Sequence, residues 1–594
     1  MQRKSLRRRE FLKQIGAAAL SGAWLAETAR AADAPPNVLV ILTDDQGWGD
    51  LSVHGNSNLH TPNIDSLARD GALFERFFVC PLCAPTRAQF LTARYHPRGG
   101  VRGVTRGAER LNLDEKTIAE TFKAAGYATA AFGKWHNGTQ YPYHPNARGF
   151  DEFYGFCSGH WGQYFDPVLE HNGKIVRGRG YIADDLTDHA LAFIEEHKSE
   201  PFFCYLPYNT PHSPFQVPDE YWNRFEDKPI RLRCREPQKE RLDVTRCVLA
   251  MCENLDWNVG RLLRKLDELQ LADNTIVVYF SDNGPNSWRW NGGMRGRKGS
   301  VDEGGVRVPC LVRWPGHIKP GTIISEIAGD IDLLPTLAEM AGIPIIGDKP
   351  LDGKSVAPLL LGTAAEWPDR MIFVNQGNRV SVRTQRFRLD NAGRLYDMVA
   401  DTGQYRDVSG KYPEVAKKLR DAVQRWREEV LPKGPDTRPF PVGYREFPTT
   451  FLPARDGVPF GNVKRSAKAP NCSFFTNWIS AADKMTWDIE VATPGDYEAF
   501  VYYTCPRDDV GSIVELSFRG NRVRATVSEA HDPPLIGAEY DRVPRGSESY
   551  VKDFRPLRLG VLRLEKGRGT LTLRAVKVAR KQVMDVRAIV LKLL

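Results

Sequence analysis

Two pairs of adjacent oxygen-bearing side chains are placed so that they could bind one metal ion. Asp44 and Asp45 follow one continuous apolar run, and Asp282 and Asn283 follow another. In an open α/β sheet, ligands bind at the carboxyl ends of the strands, so we expect the two pairs to lie together. Carboxylate and amide oxygens are hard ligands, which suit Ca²⁺ or Mg²⁺ better than zinc. An Asp-Asn-Gly sequence alone is more often a turn, and the metal prediction therefore depends on the pairing.

Cys80 and Cys83 form a CxxC pair that allows three different interpretations. Pro85 is suited to a first helical turn, which places Cys83 at a helix N-terminus, with Arg87 one turn further on. A cysteine in that position is expected to be reactive, because backbone N–H groups and the helix dipole favour an anion. A disulfide between the two cysteines is an alternative in an exported protein. A zinc site would need a second well-spaced pair, which the sequence lacks.

The elements that must position these residues alternate between strands and helices. Asn37–Leu42 is a continuous apolar run, typical of a strand buried on both faces of a parallel sheet. Similar runs recur at 128–132, 202–206, 275–280 and 309–313, with helical patterns between them, such as 249–269. This alternation predicts an α/β domain over roughly 35–375, with a mostly parallel sheet and helices on both faces.

The pattern changes in the C-terminal part of the chain. Residues 376–430 combine short strands with one amphipathic helix, which predicts a small α+β subdomain. Residues 431–460 are rich in proline and weakly patterned, and we expect a linker there. From 461 to 594 apolar residues alternate with polar ones between glycine turns, which predicts an antiparallel β-sandwich. Its aromatic residues have core spacing, so carbohydrate binding by this module stays one of two alternatives.

Residues 1–31 have the pattern of an export signal. The arginines at positions 7–9 are followed by Phe-Leu-Lys, a modestly apolar run and an Ala-Arg-Ala cleavage pattern. These features are typical of a twin-arginine-type signal peptide. The apolar run is shorter than the ~20 residues that span a bilayer, so no stable membrane span is expected. The predicted localisation is periplasmic or secreted.

Basic charge is concentrated near the C-terminal end of the chain. The formal net charge is +9, and residues 451–594 contribute +6 of it. A basic surface favours polyanions in general, and solvated charge without a partner is an equally open interpretation. We expect no nucleic-acid partner.

The segment from Cys83 to Arg87, followed by Leu-Thr-Ala-Arg-Tyr, resembles the C-x-P-x-R signature of type I sulfatases in the alkaline phosphatase superfamily. Further short motifs resemble those of the family and occur in family order: Asp44-Asp45-Gln46-Gly47, Gly133-Lys134-Trp135-His136, Thr210-Pro211-His212, Ser281-Asp282-Asn283-Gly284 and Arg297-Lys298-Gly299-Ser300. Each motif alone is weak, but their shared order is specific. The resemblance covers roughly 35–430.

The resemblance implies a site chemistry, residue by residue. Cys83 would be converted to formylglycine, an aldehyde whose hydrated form attacks sulfur and then releases sulfate by reforming the aldehyde. One Ca²⁺ would be held by these residues: Asp44, Asp45, Asp282, Asn283 and the modified residue 83. Arg87 would hold the hydrated aldehyde, and Lys134 and Lys298 would bind sulfate oxygens. His212 would protonate the leaving oxygen, and His136 would accept the proton that allows sulfate release.

The sequence therefore predicts an exported sulfatase that hydrolyses sulfate esters on sulfated carbohydrate or polysaccharide. The expected partners are a sulfated glycan or small sulfate ester and a formylglycine-generating maturation enzyme. One alternative keeps the fold and hydrolyses phosphonate or phosphate esters. Another is a glycan-binding protein without catalytic activity, although every catalytic position of the family is filled.

Overall fold

The computed structural model describes residues 35–594, so the predicted signal peptide at 1–31 lies outside the described residues. The α-helices are α1 Pro62–Arg69, α2 Cys83–Thr92, α3 Ile118–Ala124, α4 Ile182–Glu196, α5 Asp219–Trp222, α6 Leu242–Glu268, α7 Glu303–Val306, α8 Leu333–Met340, α9 Ala357–Leu360 and α10 Pro413–Val430. The strands of the first 430 residues are β1 Asn37–Thr43, β2 Ala72–Phe74, β3 Phe77–Phe78, β4 Ala128–Lys134, β5 Glu152–Phe156, β6 Val168–His171, β7 Lys174–Arg177, β8 Phe202–Pro207, β9 Thr275–Ser281, β10 Arg307–Val308, β11 Cys310–Arg313, β12 Thr322–Ile324, β13 Ala328–Gly329, β14 Ile372–Gln376, β15 Arg379–Arg383, β16 Phe387–Leu389 and β17 Leu395–Asp397. The remaining strands are β18 Phe440–Val442, β19 Thr449–Pro453, β20 Val458–Phe460, β21 Lys464–Arg465, β22 Phe475–Thr476, β23 Lys484–Val491, β24 Gly495–Thr504, β25 Ile513–Phe518, β26 Asn521–Thr526, β27 Arg555–Leu564, β28 Gly567–Lys577 and β29 Asp585–Leu593.

A ten-stranded sheet forms the centre of the larger domain, in the order β12-β2-β11-β9-β1-β8-β4-β5-β6-β7. Strands β9, β1, β8, β4 and β5 pair in parallel. Strand β11 runs antiparallel to both of its neighbours, and β6 and β7 form an antiparallel edge. The predicted mostly parallel sheet is confirmed.

The central strand β1 is buried on both faces, as its continuous apolar sequence predicts. Val38, Val40 and Leu42 point into one hydrophobic cluster, and Leu39 and Ile41 point into another. Helices α2, α3 and α8 contribute to the first cluster, and α1, α4 and α6 contribute to the second. The sheet is thus covered by helices on both faces, which leaves its strand ends as the accessible edges.

A smaller α+β unit follows the large sheet. Strands β14 to β17 form a four-stranded antiparallel sheet, and α10 packs its apolar side against it. Leu419 and Ala416 of the helix share a buried cluster with Val382, Leu389 and Leu395 of the strands.

The C-terminal part is a sandwich of two sheets around its own core. One sheet has the order β18-β23-β28-β25-β26 and the other β21-β22-β29-β24-β27. The pairs are antiparallel except for β18 with β23. Four of the aromatic residues of this module, Trp478, Trp487, Tyr497 and Tyr503, are at most 1% exposed and lie in this core. They are therefore unable to provide a carbohydrate-binding surface.

The linker expected over 431–460 is wrong for most of its length. Strand β18 pairs with β23, β19 pairs with β29, and β20 pairs with β23, so residues 440–460 belong to the sandwich. Three of the seven prolines in the segment 431–460, Pro441, Pro453 and Pro459, lie on strands at the sheet edges. An edge strand needs only one partner, so the N–H that proline lacks is not required on the outer side.

Among the described residues no helix combines the length and apolar character that a membrane crossing requires. All ten cysteines of the chain lie in the described range, and each is free and buried.

Candidate active site

Four neighbouring parallel strands deliver the predicted site residues to one edge of the sheet. In the sheet order β9, β1, β8, β4, Asp282 follows β9, Asp44 follows β1 and Lys134 is the last residue of β4. His212 lies in the loop that follows Pro207, the last residue of β8. Because parallel strands end at the same edge, residues far apart in the sequence converge there.

Helix α2 brings Cys83 to the carboxylates as its first residue. The Cys83 thiol is 3.5 Å from Asp44 Oδ1. One ligand atom from each of Asp44, Asp45, Cys83 and Asp282 lies within 4.8 Å of the others. The Thr86 hydroxyl donates to the backbone carbonyl of Asp282 at 2.6 Å, which ties the helix to the end of β9. The predicted metal ligands are thus brought together around residue 83.

The oxygen atoms at the centre of the site fit a hard cation. Asp45 Oδ2 and Asn283 Oδ1 are buried and make no hydrogen bond within the described protein. Burial and the neighbouring Asp44 carboxylate raise the pKa of Asp282 to about 6, although Arg87 opposes this shift. Burying unpaired acceptors and crowding carboxylates both cost free energy, and a divalent cation bound between these oxygens would remove that cost. Calcium prefers this set of carboxylate and amide oxygens, and so the donors fit it.

Three cationic side chains lie against the carboxylates, one on each. Their N–O distances are 2.6 Å for Lys134 Nζ to Asp44 Oδ2, 2.8 Å for Arg87 Nη2 to Asp282 Oδ2 and 2.5 Å for Lys298 Nζ to Asp45 Oδ1. Burial lowers the pKa of Lys298, but the Asp45 carboxylate outweighs this and raises it well above its ordinary value. Lys298 therefore stays protonated at neutral pH and can bind an anionic group of the substrate.

The two predicted catalytic histidines differ in their surroundings. His136 is buried and its Nε2 hydrogen-bonds to the carbonyl of Val104 at 2.9 Å, while its Nδ1 has no partner. Burial lowers the pKa of His136 well below its ordinary value, so the ring is neutral and its Nδ1 is a free proton acceptor. His212 hydrogen-bonds through Nδ1 to the carbonyl of Ser213 at 2.6 Å, which turns Nε2 towards Asp45 at 3.5 Å.

The Cys83 thiol does not have the lowered pKa that its position at a helix N-terminus suggests. Burial and the Asp282 carboxylate raise the pKa of Cys83 to about 12, so the helix N-terminus does not produce a thiolate here. Cys80 and Cys83 are both free, which does not support the disulfide alternative. An unmodified thiol is therefore a poor nucleophile at this position.

Sequence reasoning missed two residues beside the site, His160 and Glu548. Glu548 accepts a hydrogen bond from the Ser213 hydroxyl at 2.7 Å, although the two residues are 335 positions apart. His160 Nδ1 lies 3.5 Å from Glu548 Oε1. No local motif could have indicated this contact, because Glu548 belongs to the C-terminal module.

Comparisons with known proteins match the larger domain. The Sulfatase family profile matches residues 36–343, and the profile described as N-sulphoglucosamine sulphohydrolase, C-terminal, matches residues 297–429. Steryl-sulfatase of Mus musculus is 32% identical over 467 residues, which cover 62% of this chain and 72% of the relative. N-acetylgalactosamine-6-sulfatase of Homo sapiens is 32% identical over 394 residues, which cover 60% of this chain and 71% of the relative.

A solved structure gives the same result. The crystal structure of Ps i-CgsB in complex with k-i-k-neocarrahexaose superposes with a TM-score of 0.60 at 30% sequence identity, covering 67% of this chain and 93% of that chain. The family profiles together end at residue 429, so the β-sandwich lies outside them.

The profile that spans more than half of the chain agrees with the fold and with the motifs of the site. The interpretation as a glycan-binding protein without catalytic activity is not supported. This chain belongs to the sulfatase family of the alkaline phosphatase superfamily and is a hydrolase of sulfuric esters.

Proposed function

We propose that this protein hydrolyses sulfate esters on carbohydrates, with residue 83 as formylglycine and one Ca²⁺ at the site. The human relative is named an N-acetylgalactosamine-6-sulfatase, and the solved structure holds a carrageenan-type oligosaccharide. The mouse relative is instead named a steryl-sulfatase, so turnover of a steryl sulfate should be compared with turnover of the sugar sulfates. The observation that carries the proposal is the convergence of carboxylates, cations and residue 83 at the ends of four neighbouring strands.

The proposed conversion would give residue 83 a chemistry that a thiol cannot supply. A hydrated aldehyde supplies two hydroxyl groups on one carbon, so that sulfate can leave without attack by water on sulfur. Arg87 is fully buried and its Nη1 donates to the Lys134 carbonyl at 2.6 Å, which holds the guanidinium against the site. In that position it can orient the modified side chain.

The calcium ligands in this proposal are Asp44, Asp45, Asp282, Asn283 and residue 83. When bound, the cation would stabilise negative charge on a sulfate oxygen and on the attacking hydroxyl. Lys134 and Lys298 lie beside these ligands and bind the remaining sulfate oxygens. His212 faces the more exposed side of the site, where the leaving oxygen is expected, and it supplies the proton. His136 accepts a proton at its unpartnered Nδ1.

The alternative phosphonate or phosphate ester hydrolase is not favoured by the comparisons, because the mouse and human relatives, each 32% identical, are named as sulfatases. A panel of sulfate, phosphate and phosphonate esters of one phenol tests it directly. A higher kcat/KM for the phosphonate than for the sulfate would overturn our preference.

The first test of the proposed nucleophile is the mass of the tryptic peptide Phe77–Arg87 from protein made in its own host. Conversion exchanges the thiol sulfur for oxygen with the loss of two hydrogens. Cys80→Ser is the matched control, because Cys80 lies on the same peptide and should not affect conversion. Cys83→Ala should abolish turnover while Ca²⁺ still raises the melting temperature. An unmodified peptide from a fully active preparation would exclude formylglycine.

The proposal includes a maturation enzyme that converts Cys83 and export to the periplasm or beyond by a twin-arginine-type route. The support for export is the sequence of residues 1–31 alone. Replacement of Arg8 and Arg9 by lysine should retain the protein in the cytoplasm. Unchanged export of that variant would exclude the route.

A further inference from the structure

One loop of the C-terminal sandwich leaves its own module and packs against the catalytic domain. We call residues 527–554, between β26 and β27, the docking loop. The Tyr540 ring stacks on Phe165 with centroids 4.3 Å apart, and Gln216 Nε2 donates to the carbonyl of Gly537 at 2.7 Å. Val543 is buried in a hydrophobic cluster of the catalytic domain. The loop is thus held by both apolar and polar contacts.

The docking loop places Glu548 at the mouth of the active site. One ligand atom from each of Glu548, His160 and His212 lies within 4.8 Å of the others. Burial raises the pKa of Glu548, but the two histidines and the Ser213 hydroxyl outweigh this and lower it to about 2. The side chain is therefore a carboxylate at neutral pH, and it is 17% exposed.

His160 is a buried polar group whose nearest charged neighbour is the Glu548 carboxylate, 3.5 Å from its Nδ1. Its ring is only 6% exposed, and neither ring nitrogen makes a hydrogen bond within the described protein. Burial lowers the pKa of His160 to about 4, so the ring is neutral and has one donor and one acceptor. Buried polar groups usually have hydrogen-bond partners. A buried imidazole without hydrogen bonds at the mouth of a site therefore indicates that a ligand supplies those partners.

The position of Glu548 and His160 determines which part of a substrate these two side chains contact. The Asp44, Arg87 and Lys134 side chains are at most 1% exposed, whereas those of His212 and Lys298 are 12% and 17% exposed. The sulfate therefore lies at the buried end and the group that carries it lies at the exposed end. Glu548 and His160 border that exposed end.

We propose that Glu548 and His160 form a subsite, completed by the C-terminal module, for uncharged hydroxyl groups of the sugar next to the sulfated carbon. The proposal rests on the proposed action on carbohydrate. A carboxylate and a neutral imidazole can together accept two hydrogen bonds and donate one, which matches adjacent hydroxyl groups. The same carboxylate disfavours a second sulfate or a uronic acid at that position, because two desolvated anions repel each other.

The test compares two variants on three substrates. Glu548→Ala removes the carboxylate, and Glu548→Gln keeps its shape and an acceptor but removes the charge. Glu529→Gln is the matched control, because Glu529 lies on the same loop, is 65% exposed and pairs with Arg555 away from the site. The substrates are 4-nitrophenyl sulfate, the best of the galactose 2-, 4- and 6-sulfates, and a disulfated galactose that contains that ester.

We expect Glu548→Ala to lower kcat/KM on the monosulfated sugar at least tenfold, mainly through KM, and to change turnover of 4-nitrophenyl sulfate less than twofold. Glu548→Gln should lower kcat/KM on the monosulfated sugar less than Glu548→Ala does. It should also raise the ratio of disulfated to monosulfated turnover several-fold. The control should match the parent protein on all three substrates.

Equal losses on the aryl and sugar esters would overturn the subsite, as would parental kinetics in both variants. A lowered melting temperature identifies a variant whose docking loop no longer packs against the catalytic domain. In that case Glu548→Gln, which can still accept the Ser213 hydrogen bond, tests the subsite through its ratio of disulfated to monosulfated turnover. If the parent protein hydrolyses 4-nitrophenyl sulfate but no galactose sulfate or other sugar ester, the action on carbohydrate and the subsite both fail. Sugar turnover without any effect of Glu548 overturns the subsite alone.

Discussion

The buried ion pair between Arg87 and Asp282 allows a quantitative prediction. Both side chains are 0% exposed, and Arg87 donates through Nε and Nη2 to the same carboxylate oxygen at 3.1 and 2.8 Å. Its Nη1 also donates to the Lys134 carbonyl at 2.6 Å. Arg87→Met fills a similar volume but leaves a buried carboxylate and a buried carbonyl without these partners.

The cost follows from the groups that are left behind. Breaking a buried pair by removing one partner costs about 3–5 kcal/mol. An unsatisfied buried carbonyl adds about 1–3 kcal/mol. The expected loss of about 4–8 kcal/mol is a large part of the roughly 5–15 kcal/mol that stabilises a typical protein. It corresponds to a fall in melting temperature on the order of 10 °C for a large domain.

The assay is thermal unfolding of the full chain at fixed pH, with and without Ca²⁺. Asp282→Asn in the Arg87→Met background removes the orphaned charge and should recover several degrees, so the two substitutions should be strongly non-additive. Arg383→Met breaks the buried pair with Glu303 outside the site and serves as the control for lost stability alone. The loss of melting temperature caused by Arg87→Met should be smaller in Ca²⁺, whereas the loss caused by Arg383→Met should not change.

Two results would refute this reasoning. A fall of less than ~2 °C for Arg87→Met would mean that the carboxylate finds other partners or is already protonated. Additive effects of Arg87→Met and Asp282→Asn would mean that the two groups do not stabilise each other.

Three further predictions concern single groups. Burial lowers the pKa of His96 to about 4, so its neutral ring stabilises the fold fully above pH 6.5, and this contribution is lost as the pH falls towards 4. Between these pH values, His96→Gln should reduce the pH dependence of the free energy of unfolding by about 1.4 kcal/mol per pH unit, as measured in urea titrations. An unchanged pH dependence would contradict the assignment. His212→Ala should lose at least tenfold more activity on alkyl than on 4-nitrophenyl sulfates, because an acid matters most for poor leaving groups; equal losses would exclude its acid role. Gly133→Ala should unfold or strongly destabilise the sheet, because a Cβ there would lie 2.1 Å from the Pro207 carbonyl oxygen at φ 135°; a near-parental melting temperature would show that the strands can separate at that point.

The catalytic domain was largely predictable because its signals are local. A strand buried on both faces must be apolar at every position, so β1 and β9 are visible as continuous runs, and their polar ends mark the site. Parallel pairing then brings those ends together without any information beyond strand order.

The errors have a different physical origin. The pKa of Cys83 depends on burial and on a carboxylate from another strand, which the sequence around it does not contain. The proline-rich segment at 440–460 has edge strands that are stabilised by pairing with distant strands rather than by their own propensity. Glu548 lies in an irregular loop, where neither periodicity nor a motif distinguishes it from a solvated carboxylate.

The burial of Cys83 has a consequence for the order of events in the life of the chain. Its side chain begins a helix that is enclosed by the sheet ends, and the residue is 3% exposed. A separate enzyme has no access to a thiol in that position once the domain has folded. The proposed conversion to formylglycine must therefore happen on the nascent or unfolded chain, before residues beyond 275 complete the sheet around it. If the chain is exported by the twin-arginine-type route that we propose, a route for folded proteins, its chemistry is decided in the cytoplasm. A molecule that folds before conversion then leaves the cytoplasm permanently without its nucleophile.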